Sequence, residues 1–337
     1  MTSSETRVLF LNPHGEELIE YLKRGLGDRD IKLVTPPDQK KESLLPLLPH
    51  ADALIGWGSD EEAMSLATKA TLFINPGTGI SQHIELFRKL QKTRSITLVN
   101  GHGNSYSVAQ HTLALLLTLT NKVVSHHLKM RELSSPPSNA RTEYLKNKTV
   151  GFLGYGAINT KVHRFMSGFD LQFSAYRKDW ASTEATTPTA ITEYSGDQLK
   201  TFFEDSDIVI NSLPTTQQTR NLITLRELKL LGEKGLFLNV GRAATVVQED
   251  LYIALRDQLI GGAALDVWWG KGSKPESDRH DPYQFPFHEL NNLVMSPHRA
   301  ADSGGDLDRW NEVIENLIRL HDGSGDFINR VDIDQEY

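Results

Sequence analysis

The sequence predicts an α/β protein built from two doubly wound parallel sheets. Apolar runs of β type alternate with segments of helical spacing along most of the chain. This alternation pauses near Asn100 and begins again near Lys148. The chain has 337 residues, which is too long for one average core. We therefore expect two domains, each with its own sheet.

The first series begins with the strand candidate "RVLFLN", which is followed by the helical segment "GEELIEYLKRGLG" ending at a glycine. "IKLVTP", "SLLPLLPHADALIGWG" and "KATLFINPGTGIS" continue the alternation. A long apolar helix is predicted over roughly residues 107–124. "ELSSPPSNARTEYLKN" then reads as a surface connection, since it is rich in serine and proline.

The second series starts at "KTVGFLGYGAINTKV" and contains six strand candidates. They are "TVGFLG", "FSAY", "DIVINSL", "GLFLNV", "GGAALDV" and "NLVMSP". The final segment, "RWNEVIENLIRLHDG", has helical spacing. Because the first unit is short, we expect this last helix to return and complete it.

Composition excludes several functional classes. Apolar residues make up 39% and charged residues 23% of the chain, as in ordinary globular proteins. The net charge of −7 argues against a nucleic-acid surface, which is usually basic. The absence of cysteine excludes disulfides and thiolate metal sites, and we expect no metal. "MTSSETRVLFLNP" lacks the pattern of a secretory signal, and polar residues interrupt the most apolar helix. We expect a cytoplasmic protein with no membrane partner.

A glycine-rich turn marks a candidate nucleotide site. In "GFLGYGAIN", Gly154 and Gly156 occupy the first two positions of G-x-G-x-x-G, after a strand and before a helix that Ala157 and Ile158 open. These glycines allow a tight turn and let backbone N–H groups approach a pyrophosphate. The third position is Asn159 instead of glycine, a departure from the pattern. The alternative is an ordinary strand-to-helix turn.

The residues that follow the next strand bear on the cofactor. An acid about 20 residues beyond the glycines usually binds the ribose 2′-OH of NAD. Here Arg177 and Lys178 occupy the end of the strand. A guanidinium can pair with a 2′-phosphate, so we favour NADP(H). In the alternative, the two basic residues are solvated and Asp179 binds the ribose of NAD(H).

Several longer segments follow in a characteristic order. They are "TGIS", "NSYSVAQHTLALLLTLTNKV", "SDIVINSLPTTQQTRNLI", "LKLLGEKGLFLNVGRAATVVQEDLYIALRDQLIGGAALDV" and "NNLVMSPHRAA". Together they resemble the D-isomer-specific 2-hydroxyacid dehydrogenase family over roughly residues 72–301. The resemblance implies a dinucleotide-binding Rossmann domain, residues 103–301, inserted into a flavodoxin-like substrate-binding domain, residues 1–102 and 302–337. It also implies a small-molecule substrate and a homodimer through the helix beginning near Ser107.

The resemblance also implies roles for single residues. Arg242 in "NVGRAA" matches the arginine that binds the substrate carboxylate and polarises its carbonyl, which suits a permanently charged fork. His298 in "SPHRA" matches the proton donor to the carbonyl oxygen. The other matched positions fall into three groups: Thr78, Gly79 and Asn104 near the substrate; Val240, Asp266 and Ala300 beside the nicotinamide; and Leu213, Pro214 and Thr219 on the adenosine side.

One expected acid is missing from "GGAALDVWWGKGSKPESDRHDPYQF". Family members carry a glutamate five residues beyond the aspartate, where it contacts the catalytic histidine, but Lys271 stands there in this chain. A carboxylate beside imidazole favours the protonated, proton-donating form, and an ammonium disfavours it. One hypothesis is that an acid of the enlarged loop folds onto His298; the candidates are Glu276, Asp278 and Asp281.

Two other hypotheses follow from the same departure. The reaction could need no proton from histidine, as in formate oxidation. Alternatively, the protein could have lost catalysis and could bind nucleotide as a sensor or scaffold. We place an NAD(P)-dependent enzyme that interconverts a 2-oxoacid and a D-2-hydroxyacid first, because Arg242 and His298 are both retained.

Overall fold

The computed structural model describes residues 5–135, 141–180, 187–270, 282–304 and 307–337. The chain divides into two compact units. The first unit comprises Met1–Asn104 and Gly304–Tyr337, and the second comprises Ser105–Ser303. The first unit is therefore made from both ends of the chain, and the second lies between them in sequence.

The strands and helices follow each other in the alternation that the sequence predicts. The strands are β1 Thr6–Phe10, β2 Ile31–Val34, β3 Ala53–Ile55, β4 Leu72–Asn75, β5 Thr97–Asn100, β6 Thr149–Leu153, β7 Gln172–Tyr176, β8 Thr192–Tyr194, β9 Ile208–Asn211, β10 Leu236–Asn239, β11 Gly262–Leu265 and β12 Leu293–Met295. The helices are α1 Glu16–Leu26, α2 Lys41–Leu44, α3 Glu61–Leu66, α4 Ser81–Leu90, α5 Ser105–Thr120, α6 Val123–Arg131, α7 Ala157–Met166, α8 Leu199–Glu204, α9 Leu225–Leu231, α10 Gln248–Arg256 and α11 Asn311–His321.

Each unit has one parallel sheet. In the first unit the strand order is β2-β1-β3-β4-β5, which is the flavodoxin-like order. In the second it is β12-β11-β10-β9-β6-β7-β8, so that the order reverses between β6 and β9 as in a dinucleotide-binding fold. The predicted fold class of two doubly wound parallel sheets is confirmed.

The central strands of the second unit are buried on both faces. Every residue of β9, β10 and β11 is buried, which explains why these segments are nearly continuous apolar runs. One apolar core lies on each face of the sheet, and the first unit is built the same way. This layering leaves the carboxyl edge of each sheet as the place for polar residues.

Two expectations about single elements were wrong. The helix predicted over residues 107–124 is divided, since α5 ends at Thr120 and α6 begins at Val123. Lys122 between them has a φ of 54°, a left-handed conformation that ends the first helix. The strand β8 was missed because it has three residues and shows little apolar alternation. Within the described residues, no helix has the length and apolar character needed to cross a membrane.

Candidate active site

The candidate site of the second unit lies along the carboxyl edge of its sheet. All the strand pairs are parallel, so the residues that follow each strand meet at one edge. The residues that follow these strands include Gly154 after β6, Arg177 after β7, Leu213 after β9, Val240 after β10 and Asp266 after β11. Most of the residues predicted from the sequence in this unit therefore lie at one edge.

The glycine turn after β6 fits the pyrophosphate of a dinucleotide. Gly154 has a φ of 82°, which favours glycine, and a side chain there would also approach Leu213 within 3.0 Å. Gly156 caps α7 and is exposed, with open space where a side chain would begin. Among the described residues, no protein group accepts from the N–H of Tyr155, Gly156 or Ala157. N–H groups at a helix N-terminus are suited to binding an anion, and their contact with a cofactor stays a prediction.

A buried pair lies directly behind the glycine turn. Burial raises the pKa of Tyr155 to about 12 and lowers the pKa of His163 to about 4. The tyrosine hydroxyl therefore keeps its proton and forms a hydrogen bond of 2.7 Å with Nδ1 of the neutral imidazole. The other ring nitrogen, Nε2, forms a hydrogen bond of 2.8 Å with the hydroxyl of Thr189. This chain of hydrogen bonds anchors the turn to α7.

We expect the buried histidines to make the protein acid-sensitive. Burial lowers the pKa of His83 in the first unit, like that of His163 in the second, to about 4. The unfolded state then binds more protons than the folded state below pH ~6.5. Each neutral histidine makes its full contribution to the free energy of unfolding above that pH. The contribution falls towards pH 4, by up to about 1.4 kcal/mol per pH unit for each histidine. Urea unfolding at pH 7.5 and 5.0 measures this loss, and His163→Gln should reduce it. A midpoint that is unchanged at pH 5.0 would contradict the expectation.

Arg177 lies at the tip of β7 beside an aromatic ring. Its guanidinium carbon is 5.3 Å from the centre of the Trp180 ring, and its Nη1 is buried without a hydrogen-bond partner among the described residues. The indole of Trp180 is fixed by a hydrogen bond of 3.0 Å to the carbonyl of Tyr194. The next residues, Lys178 and Asp179, are exposed. Of the basic residues predicted at this tip, Arg177 is the one that packs against the fixed ring of Trp180.

The turn that carries Arg242 is clamped by buried amides. The Arg242 carbonyl accepts from the hydroxyl of Thr245 over 2.7 Å and from Nδ2 of Asn239 over 3.3 Å. Asn211 in turn donates to both of these side chains, over 2.8 and 3.1 Å. The guanidinium donates to the carbonyl of Gly241 over 2.8 Å, and burial lowers the pKa of Arg242. An arginine stays charged despite such a shift, so a clamped cation lies beside the end of β10.

His298 lies on an exposed loop beyond β12 with a φ of 57°. Asp266, which is buried, accepts from the backbone N–H groups of Arg299 and Ala300 over 2.9 and 3.1 Å, and from the hydroxyl of Ser296 over 2.6 Å. These bonds compensate for the left-handed backbone conformation. Asp266 therefore holds the loop that presents the imidazole. His111 of α5 adds a contact of 2.9 Å to the Ser296 hydroxyl.

The two tryptophans after β11 contact different segments, and Trp268 contacts the one that leads to His298. The indole N–H of Trp268 donates to the carbonyl of Ser296 over 2.8 Å, and that of Trp269 donates to the carbonyl of Val246 over 2.9 Å. Both rings pack near Phe287 in the core. Both rings therefore pack against the core of the second unit.

The enlarged loop after β11 begins and ends at neighbouring backbone groups. Gly270 donates to the carbonyl of Pro282 over 2.7 Å. Four positions of this loop decide whether an acid replaces the missing glutamate. All four lie outside the described residues: Lys271, Glu276, Asp278 and Asp281. Among the described residues, no carboxylate contacts the His298 imidazole. The hypothesis that a loop acid reaches His298 stays a prediction.

The residues predicted for the adenosine side form a compact turn after β9. The hydroxyl of Thr219 donates to the carbonyl of Pro214 over 2.6 Å, and the N–H of Leu213 donates to Oδ1 of Asn211 over 3.1 Å. Val240 and Ala300, predicted beside the nicotinamide, are buried near the same sheet edge. Their contact with a cofactor stays a prediction.

The predicted substrate residues of the first unit follow strands of its own sheet. Thr78 and Gly79 lie after β4, in a turn whose Gly79 carbonyl accepts from the buried Asn75 over 3.0 Å. Asn75 is held in turn by the buried His83, over 3.3 Å. Asn104 is the last residue before the second unit. Reasoning from the sequence missed the supporting polar residues in both units. Their signal is a polar side chain at the end of an otherwise apolar strand.

Comparisons with known proteins show which sequences and structures this chain resembles. Residues 113–300 match the family model described as D-isomer specific 2-hydroxyacid dehydrogenase, NAD binding domain. A glyoxylate reductase of Thermofilum pendens is 28% identical over 79% of this chain and 76% of its own length. A D-3-phosphoglycerate dehydrogenase of Archaeoglobus fulgidus is 24% identical over 88% of this chain. The chain spans 54% of that relative, about half its length.

Solved structures share the fold. An NADPH-dependent glyoxylate/hydroxypyruvate reductase of Sinorhizobium meliloti, in complex with NADP and sulfate, has a TM-score of 0.76 at 18% identity and covers 98% of this chain and 100% of its own. A D-isomer specific 2-hydroxyacid dehydrogenase of Lactobacillus delbrueckii, in its NAD complex, has a TM-score of 0.75 at 18% identity and covers 97% of this chain and 100% of its own. At these identities the likeness concerns the fold.

Proposed function

The chain belongs to the D-isomer-specific 2-hydroxyacid dehydrogenase family, whose members are nicotinamide-dependent oxidoreductases, and we propose that it reduces a 2-oxoacid to a D-2-hydroxyacid. We propose Arg242 and His298 as its catalytic residues. The observation that carries the proposal is the way these two side chains are presented. Arg242 follows β10 and His298 follows β12, two strands that flank β11. Each lies on a turn held by buried polar groups. Such preorganised cations and proton donors are what carbonyl reduction requires.

The residues would divide the chemistry between them. When bound, the nicotinamide supplies the hydride that reduces the carbonyl carbon. Arg242 binds the carboxylate in a two-pronged contact and draws electrons from the carbonyl oxygen. His298 donates a proton to that oxygen, so that the C=O becomes a CH–OH group. Asp266 acts through His298, because its carboxylate holds the loop.

A panel of 2-oxoacids tests this proposal. We expect glyoxylate, hydroxypyruvate or phenylpyruvate to oxidise the reduced cofactor, with the D-2-hydroxyacid as product. Formate with the oxidised cofactor is the matched alternative, because formate oxidation needs no proton from His298. Turnover of formate alone would overturn the reductase proposal. Cofactor binding without any turnover would favour a nucleotide sensor.

NADP(H) is the cofactor that we propose to be preferred. Arg177 supports this, since its Nη1 has no protein partner among the described residues and its guanidinium lies against Trp180. We expect Arg177→Asp to weaken NADPH binding by roughly 10- to 100-fold, because a charge-assisted pair with the 2′-phosphate is lost, and to leave NADH binding equal or improved. Fluorescence titration of both cofactors measures this. Arg164→Ala, an exposed arginine on α7, is the control. Equal affinities for both cofactors, unchanged by Arg177→Asp, would refute the preference.

We further propose a homodimer through the helix that begins near Ser107, with α6 extending the contact surface. No residue of α6 is buried, although Val123, Val124, Leu128 and Met130 are apolar and about half or more exposed. An exposed apolar surface of this kind is typical of a protein interface. Sedimentation of the wild type and of a Val124→Asp, Leu128→Asp double variant tests it. A monomeric wild type would contradict the proposal.

The first unit would contribute to substrate binding. We propose that backbone N–H groups around Thr78 and Gly79 hold the substrate carboxylate, and that Asn104 lies near the substrate. The hydrogen bond from Asn75 to the Gly79 carbonyl supports the first assignment, because it shapes the turn that carries these N–H groups.

A further inference from the structure

The third position of the glycine motif is the place where this chain departs from G-x-G-x-x-G. Glycine normally stands there so that the helix can approach the strand. Asn159 occupies the position and is completely buried in the first turn of α7. A buried amide at the point of closest packing needs hydrogen-bond partners. Its partners connect it to the turn itself.

The side chain of Asn159 joins three elements. Its Nδ2 donates to the carbonyl of Gly154 over 2.6 Å and to the carbonyl of Ile210 in β9 over 3.1 Å. Both partners are acceptors, which fixes the orientation of the amide. Its Oδ1 is buried without a partner among the described residues. Leaving a carbonyl oxygen unsatisfied costs stability, so asparagine at this position carries a cost that glycine would avoid.

A second side chain contacts the same carbonyl. The hydroxyl of Ser212, the residue after β9, donates to the Gly154 carbonyl over 3.2 Å. The Gly154 N–H is also fixed, by a bond of 2.9 Å to the carbonyl of Tyr176. The peptide group after Gly154 is therefore held from the sheet side by two donors.

The orientation of this peptide group decides where the next N–H points. In a trans peptide the C=O and the N–H point in opposite directions. Because the Gly154 carbonyl is held toward Asn159 and Ser212, the Tyr155 N–H is directed away from them. No protein group among the described residues accepts from that N–H. It is thus available as one of the donors of the anion site at the start of α7.

We propose that Asn159 and Ser212 are positioning residues of the dinucleotide-binding turn, which grip the Gly154 carbonyl so that the Tyr155 N–H is preorganised for the pyrophosphate. The proposal rests on the cofactor binding proposed above. In the common motif a third glycine lets the helix pack closely on the strand. In this chain an asparagine and a serine hold the turn through hydrogen bonds to the Gly154 carbonyl instead. Preorganised donors lose less entropy on binding and so increase affinity.

Equilibrium binding of NADPH and NADH, followed by tryptophan fluorescence, tests the proposal. We expect Asn159→Ala to raise the Kd of both cofactors about ten-fold and Ser212→Ala about three-fold, as expected for lost positioning of one donor. Ser212→Thr keeps the hydroxyl and should bind like the wild type. At saturating cofactor, kcat should change by less than about two-fold, since the reacting groups are untouched.

A matched variant separates positioning from folding. Asn316 of the first unit is also buried and makes two hydrogen bonds with Ile328, one as donor and one as acceptor. Asn316→Ala should lower the urea midpoint and leave the cofactor Kd unchanged. If it raises Kd as much as Asn159→Ala, general destabilisation explains the effect and the proposal is wrong. Unchanged Kd values for both Asn159→Ala and Ser212→Ala would also overturn it.

The milder serine variant carries the test if Asn159→Ala does not fold. The readout is binding, so it is independent of turnover. A wild type that binds cofactor but reduces no 2-oxoacid would remove the proposed activity alone. If the Asn159 and Ser212 variants bind the cofactors as well as the wild type does, only the positioning roles are disproved.

Discussion

Replacing Arg242 by alanine should lower kcat/KM for 2-oxoacid reduction by about 10³-fold. The substitution removes the cation that would hold the carboxylate and stabilise charge on the carbonyl oxygen, and a single preorganised group of this kind contributes roughly 10²- to 10³-fold. Arg242→Lys keeps the charge but loses the fork, so we expect an intermediate loss. Steady-state kinetics with the best substrate of the panel measures both. Cofactor Kd should stay close to that of the wild type.

The hydrogen bonds of the turn make the result for Arg242→Ala easier to interpret. The carbonyl of Arg242, not its side chain, receives the hydrogen bonds from Asn239 and Thr245. Truncating the side chain removes its bond to the Gly241 carbonyl but keeps the bonds from Asn239 and Thr245, so the turn retains these two supports. Arg256→Ala is the control, because that arginine is exposed on α10 and pairs with Asp257. Activity of Arg242→Ala within about three-fold of the wild type would exclude the proposed role.

Replacing His298 by asparagine should lower kcat for reduction by roughly 10²- to 10⁴-fold, which is the usual contribution of a positioned acid. The dependence of the reduction rate on pH should also differ between the variant and the wild type, because the variant lacks the proton donor. Rate profiles from pH 5 to 9, at saturating cofactor and substrate, measure both effects. His50→Gln, at an exposed position of the first unit, is the control.

The same variant discriminates between the alternatives for the missing glutamate. If the protein oxidises formate, His298→Asn should lose much less activity, because no proton passes to the product. If a loop acid supports His298, Glu276→Gln or Asp281→Asn should make reduction fall away at lower pH than in the wild type. Profiles that neither substitution moves would remove the hypothesis of a substitute carboxylate.

The positioning of His298 depends on contacts that no local pattern identifies. Asp266 could be predicted as part of "GGAALDV", and the resemblance placed it beside the nicotinamide. Both of its oxygens are engaged by the His298 loop, over distances of 2.6 to 3.1 Å. That contact exists because β11 lies next to β12 in the sheet. The neighbours of a strand follow from the order of the sheet, which the chain order of the segments does not reveal.

The sequence by itself determined the two parallel sheets and the glycine turn after β6, and its resemblance to a known family supplied the candidate pair Arg242 and His298. Apolar runs that alternate with segments of helical spacing predict a parallel sheet with helices on both faces. The residues at the carboxyl ends of parallel strands then meet at one edge. Tertiary structure alone decided the partners of Asn159. The partners of a buried amide are set by contacts between distant segments, as the bond from Asn159 to the Ile210 carbonyl shows. Local propensity contains no term for those contacts, and so the departure from the glycine motif became interpretable only when Asn159 was seen between Gly154 and Ile210.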